Sequence, residues 1–300
     1  MTTSSTNLAV NQPLKGIALV LSAVVLFATM DTAGKYLVTK FNVPLVAAVR
    51  YGLNLAILSA LMLPRHGAGL WKTRRTSLVV LRGLCLALAT FFAGLALQLM
   101  PVGETVAILY LQGFGIMIAA GYFLKEEITP AGWLASAMGF AGVVLIARPG
   151  GALVPLGVVF ALICAAVSVV YILLSRVLAA TESTMGLMFH TALCGCVFFA
   201  ILLPFQWRNF TYTRIDLVLL SFMGVASLAG HSLLTSAYRF APASILAPFN
   251  YFHIALAVLF GWLVYHHVPD ALAFLGMAMI ALSGAALTLH TQRRKAKATN

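Results

Sequence analysis

Gln112, Asn250 and His253 are polar side chains in the middle of long apolar stretches. Asn250 and His253 are three residues apart, so on a helix they lie on one face. Such groups are costly in lipid unless they face a protein interior or a wet cavity. Amide and imidazole groups donate and accept hydrogen bonds, so we interpret these residues as substrate-binding. The alternative is that they hydrogen-bond between helices as packing contacts.

Aromatic residues accompany these polar groups in the same and neighbouring stretches. The candidates for the wall of a binding cavity are Tyr110, Phe114, Tyr171, Tyr251 and Phe91. Their rings would suit an apolar or aromatic substrate. Phe and Tyr are also common between packed helices, so a packing role stays open at each position.

His231 and Arg50 are further ionisable residues inside apolar stretches. His231 is four residues from Thr235, and together they form a polar stripe that we expect to face the central space. For Arg50 the favoured interpretation is an ion pair with Asp31, or extension of its side chain to the membrane surface. Binding of a substrate carboxylate by Arg50 is the alternative.

Proton coupling through a buried carboxylate is not predicted, because Asp31 and Glu104 both fall near the ends of apolar stretches. His231 or His253 could carry a proton instead.

These side chains lie in a chain that is 62% hydrophobic and 9% charged, with a mean hydropathy of +0.99. A soluble core of 300 residues could not bury so much apolar surface. We therefore predict an all-α, polytopic membrane protein with ten transmembrane helices, each about 20 residues long. The predicted spans are 15–37, 44–63, 77–99, 104–123, 130–147, 154–177, 185–203, 216–238, 244–265 and 270–289.

The second half of the sequence repeats the first half at a constant offset. The pairs Gly16 and Gly157, Gly83 and Gly224, Pro101 and Pro242, and Tyr110 and Tyr251 all share the same spacing, and Gln112 corresponds to His253. Each half contains five predicted spans, so the two copies must be inverted relative to each other. Inverted repeats are typical of secondary transporters with a substrate site near the bilayer midplane.

The repeat divides the chain into four parts. Residues 1–14 are predicted to be a disordered cytoplasmic tail, 15–147 the first five-helix repeat, 154–289 the second repeat, and 290–300 a basic cytoplasmic tail. Most of the 19 Lys and Arg residues lie on the side of the N-terminus, so both termini are predicted to be cytoplasmic. The net charge of +12 is then a topology signal, for which anionic lipid and not nucleic acid is the partner.

Small residues recur on one face of the fifth predicted helix, at Gly132, Ala135, Gly139 and Gly142. Such a face permits close helix contact. It could pack against the tenth helix, around Gly276, or against a second protomer, so both a monomer and a homodimer stay open.

No motif for a cofactor or for catalysis is present. His190 and Cys194 are four residues apart, but no second pair accompanies them, so packing is preferred to metal binding and no metal or cofactor is predicted. An intramembrane enzyme would need converging nucleophile, base or metal ligands, and neither His-Glu-x-x-His nor Gly-x-Ser-x-Gly occurs.

The chain resembles the drug/metabolite transporter superfamily, in particular its EamA-type ten-helix members. The resemblance rests on the duplicated five-helix unit, Arg50 within 44–52, Arg82-Gly83 at the start of the third span, the break near Pro101, and the run ending at Glu126. It extends from about residue 15 to 289.

Within that superfamily the chain looks most like the bacterial aromatic amino-acid exporters. The resemblance implies a central cavity formed mainly by helices one, three, four, six, eight and nine. The expected function is amino-acid export across the bacterial inner membrane by alternating access, with another small metabolite or drug-like compound as the alternative substrate. Gln112, Asn250 and His253 would bind its polar groups.

Overall fold

The computed structural model is helical throughout the residues it describes, which are 12–67, 71–123, 128–148, 153–179, 181–206, 210–237, 239–241 and 243–299. No β-strand occurs among them. The helices are α1 (Pro13–Lys40), α2 (Val43–His66), α3 (Thr76–Leu99), α4 (Val102–Leu109), α5 (Gln112–Phe123), α6 (Pro130–Ala147), α7 (Pro155–Leu178), α8 (Thr184–Leu202), α9 (Arg214–Ala237), α10 (Ala243–Asn250), α11 (Phe252–Tyr265) and α12 (Ala271–Thr299).

These twelve helices form ten spans. Nine stretches of described residues are long and apolar enough to cross a membrane, and one of them, Val102–Phe123, combines α4 and α5. The remaining span is divided between α10 and α11, of which Phe252–Tyr265 is the longer apolar piece. The predicted all-α polytopic fold is confirmed. Several predicted features, namely the segment 1–11, Glu126 and Pro242, lie outside the described residues.

The C-terminal helix α12 is longer than the predicted tenth span. It continues to Thr299, through the segment 290–299 that the sequence assigns to a basic tail. The part apolar enough to cross a membrane ends at His290. The final turns of α12 therefore extend the helix beyond the apolar span.

Polar side chains cap the first turns of three helices. The side chains of Asn42, Thr129 and Ser183 accept hydrogen bonds from the backbone N–H groups of Leu45, Gly132 and Gly186, at 2.8, 3.1 and 3.0 Å. A capping oxygen satisfies one of the amide groups that the first helical turn leaves without a partner. Proline follows two of these caps, where its fixed backbone angle suits the helix start.

The most extensive helix packing joins the two repeats to each other. The pairs are α3 with α7, α1 with α9, α2 with α8, and α6 with α12, and each combines one helix from each half. The repeat offset converts the α3–α7 pair into the α9–α1 pair, as an approximate twofold axis requires. Space between the repeats is therefore lined by both halves of the sequence.

The glycine face of the fifth span packs against the tenth span. A methyl group added at Gly142 would lie 2.6 Å from the carbonyl oxygen of Gly276, and one added at Gly276 would strike the Gly142 backbone in return. This outcome confirms the first of the two partners predicted for that face. Further along the same helix, Gly139 lies against the ring of Phe114.

Candidate functional site

Two central cavities have Asp31 and Arg50 in both of their linings, and a third, of about 420 Å³, lies at the end of α1 around Lys40 and Gln206. The larger of the two central cavities, of about 480 Å³, is lined by Asn54 and Leu58 around and beyond the middle of α2, by Thr184 at the start of α8, and by Thr235 near the end of α9. It therefore occupies the half of the bundle where α1 begins, which we call the N-terminal side. The smaller cavity, of about 210 Å³, is lined by Val38 near the end of α1 and Val43 at the start of α2, and it lies on the opposite side.

Half of the sequence-predicted site residues line the larger cavity. They are Gln112, Tyr171, His231, His253 and Arg50. The lining includes residues from every span except the fifth and tenth, so the second and seventh helices contribute beyond the set that the family resemblance implied.

The other five predicted residues are absent from the linings of both cavities. Phe114 is a buried core residue, and Phe91 packs against Phe92 and Phe199. Tyr110, Asn250 and Tyr251 lie where the fourth and ninth spans are interrupted. These three residues therefore form the two helix breaks and do not line a cavity.

The two breaks occur at corresponding positions of the repeats. Tyr110 separates α4 from α5 with φ −65° and ψ −12°, and Tyr251 separates α10 from α11 with φ −67° and ψ −15°. In each break a backbone N–H reaches only three residues back, from Gly113 to Tyr110 and from Ile254 to Tyr251, both at 3.1 Å. Interrupted helices at matching places in inverted repeats commonly mark the binding site of a secondary transporter.

The two breaks touch each other. The rings of Tyr110 and Tyr251 are 5.2 Å apart between centroids, and the Tyr110 hydroxyl donates to the carbonyl oxygen of Asn250 at 2.6 Å. Gln112 and His253 follow their respective breaks and both face the larger cavity. The repeat thus places two equivalent polar side chains on one lining.

Asp31 forms an ion pair with His253. The distance from Oδ2 of Asp31 to Nε2 of His253 is 3.1 Å, and Oη of Tyr110 lies 3.4 Å from Nδ1 on the other side of the imidazole. The sequence interpretation offered an ion pair of Asp31 with Arg50 or extension of Arg50 to the membrane surface, and the first of these is wrong, because no such pair occurs among the described residues. Linear position indicates the depth of a side chain, but its partner depends on how the helices are rotated against each other.

Arg50 faces both cavities without an ion pair among the described residues. Its Nη2 atom donates to the Thr90 hydroxyl at 2.8 Å, and its guanidinium group lies 5.0 Å from the centre of the Tyr51 ring. The Nε atom is buried and has no hydrogen-bond partner. Part of the hydrogen-bonding capacity of this cation is therefore unused.

Arg82 is a buried site residue that the sequence interpretation missed. Only 8% of its surface is exposed, and it donates to the hydroxyl groups of Ser175, Thr191 and Tyr171 at 2.7, 2.6 and 2.9 Å. The sequence counted Arg82 as a topology charge because it stands near the start of the third span. The available signal was its place in the second turn of α3, inside the apolar segment.

The charges on the larger cavity are unequal. Two guanidinium groups, Arg50 and Arg82, share the lining with one carboxylate, Asp31, and two imidazoles. Neither guanidinium has an ion pair among the residues that the structure describes. An uncompensated cation inside a membrane protein is costly, so the lining is suited to a ligand that carries an anionic group.

Three further ion pairs join the repeats at the opposite side. They are Lys40 with Asp216 at 2.6 Å, Arg148 with Asp270 at 2.8 Å, and His267 with Glu104 at 2.7 Å. The backbone N–H of Ala273 and the guanidinium of Arg148 lower the pKa of Asp270, which lies just outside the tenth span. These contacts hold the two repeats together on the side away from the larger cavity.

No metal centre is visible in the part of the chain that the structure describes, where no group of three or more His, Cys, Asp and Glu side chains converges. His190 is buried, and its Nδ1 atom lies 2.8 Å from the carbonyl oxygen of Gly186. One ring nitrogen of His190 therefore already has a hydrogen-bond partner within α8.

Comparison with known proteins identifies a repeated family unit. The model of the EamA-like transporter family matches residues 14–148 and again residues 155–289. The first match covers α1–α6, and the second covers α7–α12 up to the end of the apolar part of α12. Each match therefore contains five spans, because the fourth and ninth spans each consist of two helices.

Similar curated proteins are bacterial transporters. The chain is 25% identical to a riboflavin transporter of Vibrio cholerae, over 97% of this chain and 98% of the relative. It is 23% identical to an S-adenosylmethionine uptake transporter of Rickettsia bellii, over 88% and 90% of the two chains. It is also 24% identical to the pseudopaline exporter CntI of Pseudomonas aeruginosa, over 91% and 95%. A solved crystal structure, 20% identical, superposes with a TM-score of 0.66 over 93% of this chain and 98% of the other, which shows the same fold.

Proposed function

Because the chain belongs to the EamA-like transporter family, we propose that its larger cavity carries small organic metabolites that contain an anionic group. Family membership makes the protein a transporter of small metabolites in a membrane. The proposal adds a substrate class and a site. Transport would proceed by alternating access, as the inverted repeats and their cross-repeat packing favour.

The observation that carries the proposal is the presence of Arg50 and Arg82 on one cavity without ion-pair partners among the described residues. A guanidinium group presents several N–H donors in a plane, a geometry that matches a carboxylate or a phosphate. An anionic ligand in the cavity would supply the negative charge that neither arginine has as an ion-pair partner among the described residues.

The cavity also suits the rest of an organic ligand. Its volume of about 480 Å³ falls in the usual range for small-molecule sites, roughly 300–1,000 Å³. Tyr171 and Phe27 provide aromatic surface, while the amide of Gln112 can donate and accept hydrogen bonds. An amino acid is the first candidate, because its carboxylate would meet the arginines and its side chain would meet the aromatic lining.

The names of the relatives broaden the set of candidates. They include riboflavin, S-adenosylmethionine and pseudopaline, and none of the three names an amino acid as its substrate. The relatives also include both an uptake transporter and an exporter. Amino-acid export is therefore one possibility within the wider class of substrates that we propose. The substrate and ion gradients across the membrane would decide whether transport is inward or outward.

We place the protein in the bacterial inner membrane with both termini in the cytoplasm, on the basis of the Lys and Arg distribution. In that orientation the larger cavity lies on the cytoplasmic half, and the ion pairs at the opposite side face outward. The structure would then represent a state in which the cavity exchanges ligand with the cytoplasm.

The test is exchange transport in proteoliposomes made with the purified chain. Vesicles loaded with one unlabelled compound are placed in the same labelled compound at equal pH, for aromatic and non-aromatic amino acids, riboflavin and S-adenosylmethionine in turn. Saturable uptake of the unmodified compound is expected for at least one anionic or zwitterionic member. Lack of saturable uptake of every compound by folded protein, uptake of uncharged riboflavin alone, or recovery of a chemically altered product would contradict the proposal.

A pair of arginine variants tests the site itself. Arg82→Lys keeps the positive charge but loses the planar group that bonds Thr191 and Tyr171. We expect it to raise the half-saturation concentration about tenfold, as for the loss of roughly 1.4 kcal/mol of binding. Arg176→Lys, at an exposed position on the same side of the bundle, is the matched control and should leave that concentration unchanged.

A further inference from the structure

The ion pair between Asp31 and His253 connects the two repeats at the centre of the protein. Asp31 belongs to α1 in the first repeat, and His253 follows the break at Tyr251 in the second repeat. Both side chains are largely buried, with 22% and 12% of their surfaces exposed. The other three ion pairs among the described residues lie at the end of the bundle away from the N-terminus.

Hydrogen bonding at Tyr110 fixes how many protons the pair can hold. The Tyr110 hydroxyl gives its proton to the carbonyl oxygen of Asn250, so it presents a lone pair to Nδ1 of His253 at 3.4 Å. In the tautomer that donates to this oxygen, Nδ1 carries the proton of the neutral imidazole. One additional proton can then bind at Nε2 of His253 or at the carboxylate of Asp31.

The state of that additional proton decides whether the pair is attractive. With the proton present, the contact joins an imidazolium to a carboxylate, or a neutral imidazole to a carboxylic acid. Without it, the lone pair of Nε2 faces an ionised carboxylate across 3.1 Å. The two atoms are within ion-pair distance but are not aligned for a hydrogen bond, and Nε2 has no other partner. Loss of the proton thus favours separation of α1 from α11.

Asp31 is placed to exchange a proton with either side of the protein. It lines the larger cavity on the N-terminal side and the smaller cavity on the opposite side. Arg50 also lines both. A carboxylate that borders two cavities on different sides meets the geometric requirement for proton transfer by alternating access.

Other ionisable side chains lie on α1 and on the helices packed around the pair. Lys35 on α1 donates to the carbonyl oxygens of Leu97 and Met100 at 2.6 and 2.9 Å. The other ionisable side chains on the surrounding helices are Arg50 and Tyr51 on α2, Arg82 and Cys85 on α3, Glu104 on α4, Cys164 and Tyr171 on α7, His231 on α9, Tyr251 before α11, Tyr265 and His267 at its end, and Asp216 on α9.

Three of those groups share the space around the pair. His231 lies against the same Phe27 ring as His253, with centroids 5.1 and 6.3 Å from it, and Arg50 and Arg82 line the larger cavity. An anion bound by Arg50 would lie near the Asp31 carboxylate, and a proton on the Asp31–His253 pair would lessen the repulsion between the two anions. Anion binding and proton binding at this place are therefore mutually favourable.

We propose that Asp31 and His253 bind one proton that moves together with the anionic substrate, which makes the protein a proton-coupled cotransporter. This inference rests on the transport function proposed above. The proton enters from one cavity, is carried by the Asp31–His253 pair, and leaves into the other cavity with the substrate after the repeats move. Where the outside is more acidic than the cytoplasm, such coupling drives uptake instead of the export expected from the sequence.

The experiment compares two measurements on the same proteoliposomes. Exchange at equal pH needs substrate binding and the conformational change but no net proton movement. Net uptake under an acid-outside gradient needs the proton as well, and a gradient of one pH unit can support about a tenfold substrate ratio when one proton accompanies each monoanionic substrate, so that no net charge moves. A pH dye inside the vesicles records the accompanying acidification.

We expect Asp31→Asn and His253→Gln to retain exchange while losing both the gradient response and the acidification. The matched control is His267→Gln, which removes an imidazole from the other carboxylate–imidazole pair, with Glu104 at 2.7 Å, away from both cavities. In this control the ratio of gradient-driven uptake to exchange should stay at the wild-type value.

Each outcome decides between defined alternatives. Exchange by the wild type with no gradient response overturns the coupling and leaves the transport function standing. Absence of exchange for every compound overturns the transport function itself. If folded Asp31→Asn loses exchange, or exchanges only at raised substrate concentration, Asp31 is a substrate contact and the proton proposal is wrong. A gradient response that persists in both variants also overturns it.

Discussion

The Nζ atom of Lys40 lies 2.6 Å from Oδ2 of Asp216, where the end of α1 meets the start of α9. The Asp216 side chain is completely buried, whereas a third of the Lys40 side chain is exposed. The same carboxylate oxygen accepts hydrogen bonds from the backbone N–H and hydroxyl of Thr213, both at 2.7 Å. This cluster fastens the first repeat to the second on the opposite side.

The N-terminal side has a related contact of different strength. Oε1 of Glu182 accepts hydrogen bonds from the backbone N–H groups of Arg74 and Arg75, at 2.9 and 2.8 Å. Arg75 is the repeat counterpart of Asp216, and Glu182 is adjacent to the counterpart of Lys40. On the opposite side the carboxylate belongs to the start of α9, whereas on the N-terminal side it belongs to the segment after α7. Each side of the bundle has its own fastening between equivalent elements.

Lys40→Met should shift the protein towards a state that opens on the opposite side. The substitution keeps much of the apolar stem but removes the cation, so buried Asp216 loses its charged partner. The measurement is the labelling rate of Val46→Cys, which faces the smaller cavity, by a membrane-impermeant thiol reagent in a background without the native cysteines. We expect labelling from the opposite side to become several-fold faster.

Glu182→Gln is the comparison for that experiment, because it weakens the fastening on the N-terminal side. It should slow the labelling of Val46→Cys or leave it unchanged. Equal acceleration in both variants would indicate general loosening of the bundle, and the gating role of Lys40 would be refuted.

Close contact between Gly142 and Gly276 predicts a strong effect of a single methyl group. In Gly142→Ala the new atom would lie 2.6 Å from the Gly276 carbonyl oxygen and 2.9 Å from Ile280. Because backbone is involved, α6 and α12 must move apart, and overpacking of this kind costs about 1–3 kcal/mol. The expected result is a lower midpoint of thermal unfolding in detergent.

Gly52→Ala supplies the control, since nothing lies within 4 Å of the added atom at that helical position. Alanine is favoured over glycine in a helix by roughly 1 kcal/mol, so this variant should be as stable as the wild type or more so. A Gly142→Ala protein as stable as Gly52→Ala would contradict the observed α6–α12 contact.

The repeat offset predicted much of this architecture but not the breaks. It identified Tyr110 and Tyr251 as equivalents, and Gln112 and His253 as facing related space, because equivalence depends only on sequence register. The local sequence gives only a weak signal for the first break: Gly113 and Gly115 follow Tyr110, but isolated glycines are also tolerated within continuous helices. The interruption depends on contact between the two breaks, which is a tertiary feature.

Ionisable residues were harder to place from sequence for a related reason. Arg82 was assigned to the membrane surface from its distance along the chain, but hydroxyl groups of α7 and α8 surround it inside the bundle. Arg50 was one partner considered for Asp31 because both lie in neighbouring helices at similar depth. Which partner a carboxylate meets depends on helix rotation, and the sequence pattern defines rotation only to within a face.

The Arg148–Asp270 pair predicts a specific pH dependence of stability. Contacts with the Ala273 N–H and with Arg148 lower the pKa of Asp270 below its ordinary value. The folded protein then binds this proton more weakly than the unfolded chain does. The stabilisation is therefore present above the unfolded pKa, about 3.9, and is lost as the pH falls through the lower folded value.

Thermal unfolding of the wild type and Asp270→Asn across acidic pH measures this effect. We expect the wild type to be more stable at neutral pH and the two midpoints to converge below about pH 4, where the wild-type carboxyl also becomes protonated. The side chain is 42% exposed, so the difference should be small and should decrease with added salt. A difference that widens on acidification would contradict the assignment.

Contact between the breaks predicts that Tyr110→Phe slows transport without weakening substrate binding. The change removes the hydroxyl that donates to the Asn250 carbonyl at 2.6 Å, but Tyr110 does not line either cavity. A neutral hydrogen bond contributes about 0.5–1.5 kcal/mol, so a rate change of roughly two- to tenfold is expected if the bond aligns the breaks during the transition. Tyr265→Phe is the control, because its hydroxyl also joins the repeats through a 2.6 Å bond, to the Thr32 carbonyl, at a distance from the breaks. Both variants should lose a similar amount of stability. Only Tyr110→Phe should lower the maximal exchange rate. Equal exchange rates in the two variants would show that movement of the breaks does not depend on this hydrogen bond.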